Sequence, residues 1–190
     1  LLVYKTPEPG MAYACGMDCS EGGGLGDDTV AYIQDAMGQC VASVRGKGHF
    51  SLTQMTKLLV YELWKYGKDD WEPLFAPEID GKLGLVVLQV AKDMGYRNLW
   101  QTPKKATETD EHYWARRDRH GWRTQGNKDD MLQIAVARFN NGDAFILDLD
   151  FLRDATNYDQ EIVKHTPDTI MAFAITECIT DPHHPKAFGR

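Results

Sequence analysis

Cysteine is scarce in this chain. Four residues in 190, at Cys15, Cys19, Cys40 and Cys178, show no spacing that suggests a disulfide framework, and the count fits reduced, cytosolic thiols. Cys15 and Cys19 could form half of a zinc site, but no second Cys/His pair has matching spacing. The simpler reading places them in a buried strand and just past its end. Long apolar runs are missing as well. The longest, Leu83 to Ala91, contains Gln89 and falls far short of the roughly 20 residues a membrane helix needs. No charged-then-apolar signal segment opens the chain. Leu1 stands where an initiator Met would, which leads us to expect a domain excised from a longer protein. Internal repeats, heptads and low-complexity tracts are absent. Excess positive charge is absent too. The net charge of −7 argues against a dedicated nucleic-acid-coating protein. It leaves nucleic acid open as a substrate, because carboxylates that hold cations make the bare chain look acidic. Two bound divalent ions would bring −7 to −3.

Hydrophobic residues at 43% and charged residues at 26% are the balance of one soluble globular domain spanning residues 1–190. A chain this long buries roughly 70% of its unfolded surface and needs no covalent staples. Residues 1–10 form an opening segment with two prolines. MAYACGMDC then reads as a buried strand, about Ala12 to Asp18. After a glycine-rich turn, TVAYIQD and QCVASVR read as two more strands, and links this short make the three antiparallel neighbours. Ser51 and Gln54 match a capping box ahead of a helix with Leu52, Met55, Leu59 and Leu63 on its apolar stripe. A strand near Leu74 to Pro77 ends at Glu78. Asp80 is placed to cap a second helix, with Leu83, Val87, Val90 and Met94 inward, and Arg97 to Trp100 is a short strand candidate. Residues 101–126 are polar, charged and aromatic without helical period, and read as a long loop or hairpin. A third helix follows Asn127, with Met131, Ala135 and Phe139 inward. A strand at Ala144 to Leu147 and a helical turn near Phe151 to Ala155 come next. The final helix has Pro167 at its first position. Residues 181–190 read as a frayed tail. The order predicts an α/β domain with a mixed sheet, three antiparallel strands and then parallel ones, flanked by helices.

The run from Gly22 to Gly26 invites a phosphate-loop reading that its context defeats. Such a loop must open a helix, and TVAYIQD favours strand. No Gly-Lys-Ser/Thr is present either. The acids are more informative. Asp18 ends the first buried strand, where a carboxylate is costly unless something pairs with it. Glu78 lies just past the fourth strand. Parallel neighbours would bring these two together at their C-terminal ends, where open α/β sheets place ligands. Asp168, in the first turn of the last helix, could reach the same edge. Each acid also has a plainer reading, Asp168 as a helix N-terminal acid favoured by the macrodipole and Glu78 as a surface residue.

Four stretches in this order resemble the C-terminal nuclease domain of the large terminase subunit of tailed bacteriophages, a ribonuclease H-like domain of genome-packaging motors. They are YKTPEPGMAYACGMDCSEGGGLGDDTVAYIQD, PEIDGKLGLVVLQVAKDMGYRNLW, GWRTQGNKDDMLQIAVARF and HTPDTIMAFAI, and together they run over nearly the whole chain. The resemblance implies that Asp18, Glu78 and Asp168 match the family's three metal-binding acids. Many members have His-Asp-Asp where this chain has His165-Thr166-Pro167-Asp168, so Pro167 replaces one acid. A fourth ligand stays open between His165, Asp80 and Asp28, with Asp80 better read as a helix cap. The implied chemistry is phosphodiester hydrolysis by two Mg²⁺ or Mn²⁺ ions about 3.5–4 Å apart, with no nucleophilic side chain. The implied partners are double-stranded DNA, an N-terminal ATPase domain, the portal and a small terminase subunit. The implied location is the host cytoplasm, away from any membrane.

Trp114, Arg116, Arg117, Arg119, His120, Trp122 and Arg123 crowd into ten positions of the long loop. Residues 115–128 carry a local charge of +4 from Arg116, Arg117, Arg119, Arg123 and Lys128 against Asp118, and Lys104 and Lys105 lie upstream. This pattern suits contact with DNA phosphates. The plainer reading is a solvated hairpin with Trp122 packed on the core. Two other functions fit parts of the sequence. A non-catalytic docking module for a motor or capsid partner would use the acids as caps and bind no Mn²⁺ at Asp18. An actin-like or sugar-kinase ATPase half shares the three-strand opening, but needs a second lobe that this short chain lacks.

Overall fold

The computed structural model describes residues 1–20, 28–46, 51–67, 71–104, 109–115, 119–158 and 166–181. The glycine-rich turn, Lys105, Arg116, Arg117, His165 and the tail beyond 181 lie outside them. A five-stranded sheet is built from β1 (Leu2–Val3), β2 (Tyr13–Asp18), β3 (Thr29–Asp35), β4 (Cys40–Gly46) and β5 (Leu74–Pro77), in the order β1-β4-β3-β2-β5. The β2–β3 and β3–β4 pairs are antiparallel, and β2 and β5 run parallel. This is the expected mixed sheet, with β1 added as a two-residue edge strand from the opening segment.

Alternation along the strands creates two cores. Tyr13, Cys15, Met17, Ala31, Ile33 and Phe75 face the helices α1 (Leu52–Tyr66) and α2 (Lys82–Asp93). Ala14, Val30, Tyr32, Leu74 and Ala76 face α6 (Asp168–Thr180), with α4 (Lys128–Asn141) and α5 (Leu149–Asn157) packed outside it. Every residue of α6 from Thr169 to Thr180 is buried. Its apolar residues run all round the helix, as they must where the sheet covers one side and two helices the other. Contact with the sheet is close because β2 carries Gly16 there. Its N–H donates to Thr176 Oγ1 at 3.2 Å, and an added Cβ would lie 2.5 Å from Thr176 N.

Several local expectations differ from the structure. Ser51 precedes α1 without a side-chain cap bond, so the capping box is not formed. Gly81, rather than Asp80, is the N-cap of α2, and the buried face of that helix is Gly84, Val87, Leu88 and Ala91. It is rotated from the predicted stripe because Gly84 lets the helix sit against the Glu78 carbonyl, 1.7 Å from where a Cβ would stand. Pro167 is the N-cap of α6, one position before the helix proper. Phe139 is 39% exposed rather than inward. The segment Ala144 to Leu147 makes one bridge, Gln39 to Phe145, instead of a strand. Asp148 then caps α5, accepting from the N–H groups of Asp150 (2.8 Å) and Phe151 (3.3 Å). Arg97 to Trp100 likewise contributes a single bridge, Leu99 to Phe75.

The described parts of residues 101–126 include a paired hairpin base and one short helix. Gln101 and His120 pair antiparallel at that base, and the helix is α3 (Asp110–Ala115). The return limb adds to the sheet beside β5. Trp122 N–H donates to Pro77 O, and Ile79 N–H to Trp122 O, both at 2.8 Å.

Candidate functional site

β2 presents Ala14, Gly16 and Asp18 on the α6 side of the sheet, and β5 presents Leu74 and Ala76 there, with Glu78 next in alternation. The parallel register pairs Met17 with Pro77, so Asp18 and Glu78 emerge together at the C-terminal ends of adjacent strands. Glu78 N–H donates to Met17 O at 2.8 Å, which keeps the two chain ends in step. Their side chains share a hydrogen bond. Burial first, then that bond and the nearby charges of Glu78 and Asp168, hold the Asp18 carboxyl well above the usual carboxylate range. Asp18 is 6% exposed.

Asp168 reaches this edge from the first turn of α6. Its Oδ2 accepts the backbone N–H of Asp28 at 2.5 Å. Asp28 precedes β3, and its own carboxylate is turned to Arg45, whose Nε lies 2.6 Å from Asp28 Oδ2. Three of the predicted acids therefore converge, with Asp28 as a fourth whose charge is already paired. Asp80 stands apart from them. Its carboxylate accepts the N–H of Gln125 and lies 3.8 Å from the Arg123 guanidinium, so it pins the hairpin to the α2 entrance instead of capping the helix. Among the described residues no group of three or more His, Cys, Asp and Glu side chains is arranged to hold a metal ion as it stands. The carboxylates instead satisfy one another and the backbone. Cys15 faces the opposite core, and burial pushes its thiol far up, as an inert packed cysteine requires.

The basic residues divide. Arg123 follows Trp122, the residue bridged to Glu78, and its guanidinium is turned to Asp80. The Arg119 guanidinium lies 5.3 Å from the centre of the Trp114 ring and donates to Trp114 O at 3.2 Å. Lys104 is ion-paired with Asp110 of α3. Lys128 opens α4. Burial, then the charges of Lys92 and Arg119, push His120 down to about 4, so it adds no positive charge at neutral pH. Trp122 is 9% exposed and donates to Met131 Sδ, so it packs on the core as the plainer reading had it.

Sequence reasoning missed Arg45, which it placed only as the end of a strand. The available signal was one cation in the otherwise uncharged run CVASVRG.

No protein-family model and no curated protein sequence significantly matches the chain. Solved structures do match its fold. The large terminase nuclease from thermophilic phage G20c aligns over 92% of this chain and 86% of its own, with a TM-score of 0.63 at 16% identity. A structure of that nuclease with bound magnesium aligns over 93% and 85%, also at 0.63 and 16%. The Thermus phage P74-26 large terminase nuclease domain aligns over 93% and 84%, at 0.62 and 15%. The chain thus has the fold of large terminase nuclease domains, as the sequence resemblance implied.

Proposed function

We propose that this chain is a divalent-metal-dependent endonuclease that cuts double-stranded DNA during viral genome packaging. The observation that carries this reading is the meeting of Asp18 and Glu78 at adjacent parallel strand ends, with Asp168 beside them. It lies in a fold whose solved relatives include nucleases with bound magnesium, zinc and cobalt. The donor chemistry fits. All three groups are hard oxygen ligands of the kind Mg²⁺ and Mn²⁺ prefer. The Asp18 carboxyl, raised by burial and then by its acidic neighbours, is also the kind of group a cation relieves.

Asp18, Glu78 and Asp168 would hold two such ions. Bound there, they supply activation of the attacking water and stabilisation of the leaving oxygen. Asp18 is central because both other acids act on it. The hydrogen bonds between Trp122 and the β5 end fix the backbone of Glu78. The hairpin cations Arg116, Arg117, Arg119, Arg123, Lys104 and Lys105, with Lys128, would meet the substrate's phosphates, contacts that carry no sequence information themselves. The reading extends to a motor context with an N-terminal ATPase domain, a portal and a small terminase subunit, acting in the host cytoplasm. Among the described residues no helix is long and apolar enough to cross a membrane.

The test is incubation with supercoiled plasmid, with Mn²⁺ or with chelator. Wild type should nick and linearise the plasmid only with metal. Asp18→Asn keeps shape and removes charge, so it should fold but lose roughly a thousandfold or more in rate, about 4 kcal/mol of transition-state stabilisation. Cleavage by Asp18→Asn at the wild-type rate would sink the assignment.

A further inference from the structure

We propose that Arg45 is a positioning residue for the acidic edge, anchoring Asp28 so that the Asp28 backbone holds the Asp168 carboxylate beside Asp18 and Glu78. The inference rests on the nuclease reading above and adds a residue that reading does not use.

Arg45 lies in β4, two strands from Asp18, and its register partner is Val30, two residues into β3. Its side chain is only 25% exposed. A guanidinium taken that far from water needs acceptors on both arms. It has them: Nε bonds Asp28 Oδ2 at 2.6 Å, and Nη1 is ion-paired with Asp150 at the start of α5. Asp28 is 8% exposed and is the last residue before β3. Its carboxylate is held by Arg45, which restrains the residue, and its backbone N–H donates to Asp168 Oδ2 at 2.5 Å. A carboxylate at a helix start can otherwise turn about its side-chain torsions. Here one oxygen is fixed, so the other has a set orientation. The chain Arg45–Asp28–Asp168 thus links β4, the β3 entrance and α6, and orients an acid that Arg45 never touches. Outer residues of this kind characteristically matter tenfold to a hundredfold to metal affinity or rate.

Mn²⁺ titration calorimetry and single-turnover plasmid cleavage on the whole chain test this, for wild type, Arg45→Gln, Arg45→Lys and Asp150→Asn. Arg45→Gln should lose tenfold or more in Mn²⁺ affinity and in cleavage rate, with the half-saturating DNA concentration unchanged. Arg45→Lys, which keeps the charge and loses the fork, should fall between the two and carries the test if Arg45→Gln does not fold. Asp150→Asn frees the other arm only. It should melt lower than wild type yet bind Mn²⁺ and cut as wild type does. Three results would overturn the inference: Arg45→Gln matching wild type, Asp150→Asn losing as much as Arg45→Gln, or Arg45→Gln gaining Mn²⁺ affinity because Asp28 had been withheld as a ligand. A wild-type chain that neither binds Mn²⁺ nor cuts DNA removes the nuclease reading and this inference together. An active wild type with an indistinguishable Arg45→Gln removes this inference alone.

Discussion

Glu177 sits in the last turn of α6 with no solvent exposure, held by Gln34 Nε2 on one oxygen and the Arg138 guanidinium on the other. Burial raises its pKa above the ordinary 4.5, while Arg138 and Gln34 pull the other way. A carboxyl raised in the folded state binds its proton more tightly there than in the unfolded chain. Its contribution to stability is complete below 4.5 and is lost as pH rises through the folded value. Glu177→Gln should therefore make the stability curve shallower across that window, seen as urea midpoints that fall less with pH than those of wild type. Arg138→Ala removes a group that lowers the Glu177 pKa, so its stability should go on falling to higher pH than that of wild type. At this scale the sequence was legible only for the acids that end elements. Asp18 stood out as a charge closing an apolar strand, and Glu78 and Asp168 by their places at an element's edge. Glu177 and Arg45 did not stand out, because pairing across 39 and 17 residues leaves no local pattern.

Elements were more legible than their ends. The strands β2 to β5 and the helices α1, α2, α4 and α6 follow from hydrophobic period and length, and the parallel β2–β5 pairing follows from the intervening helix. The caps did not follow, because a cap is decided by a few atoms: Ser51 and Asp80 have the right chemistry and do not cap, whereas Asp148 does. The α2 face was misjudged because periodicity scores side chains, and Gly84 has none. That close approach makes a prediction. Gly84→Ala would press a methyl into the Glu78 carbonyl. It should cost about 1–3 kcal/mol by overpacking, lowering the melting temperature by roughly 2–4 °C per kcal/mol. Because the atom pushed is the backbone of Glu78, plasmid cleavage should fall further than the loss of folded protein explains. Cleavage that tracks the folded fraction would mean α2 shifts and Glu78 does not.

For the whole molecule, the acidic balance and the basic hairpin oppose one another, and salt separates them. Arg116→Glu with Arg117→Glu should weaken duplex binding for every sequence alike. It should flatten log affinity against log salt by up to roughly 1.8, about 0.9 for each phosphate that is no longer neutralised. Mn²⁺ affinity should not move. An unchanged slope in a binding titration would assign the hairpin to a protein partner.

The central position of α6 also governs when the protein becomes itself during synthesis. The helix that the sheet, α4 and α5 enclose is the last described element to leave the ribosome, and its bond to Gly16 spans 160 residues. Pairings that distant form slowly, after the nearer ones. A nascent chain can assemble β2, β3, β4 and the α1–α2 side while the other face of the sheet stays bare and Asp168 has not arrived. On the proposed nuclease reading, cleavage competence would arrive only with α6, and a truncated translation product would carry Asp18 and Glu78 without Asp168.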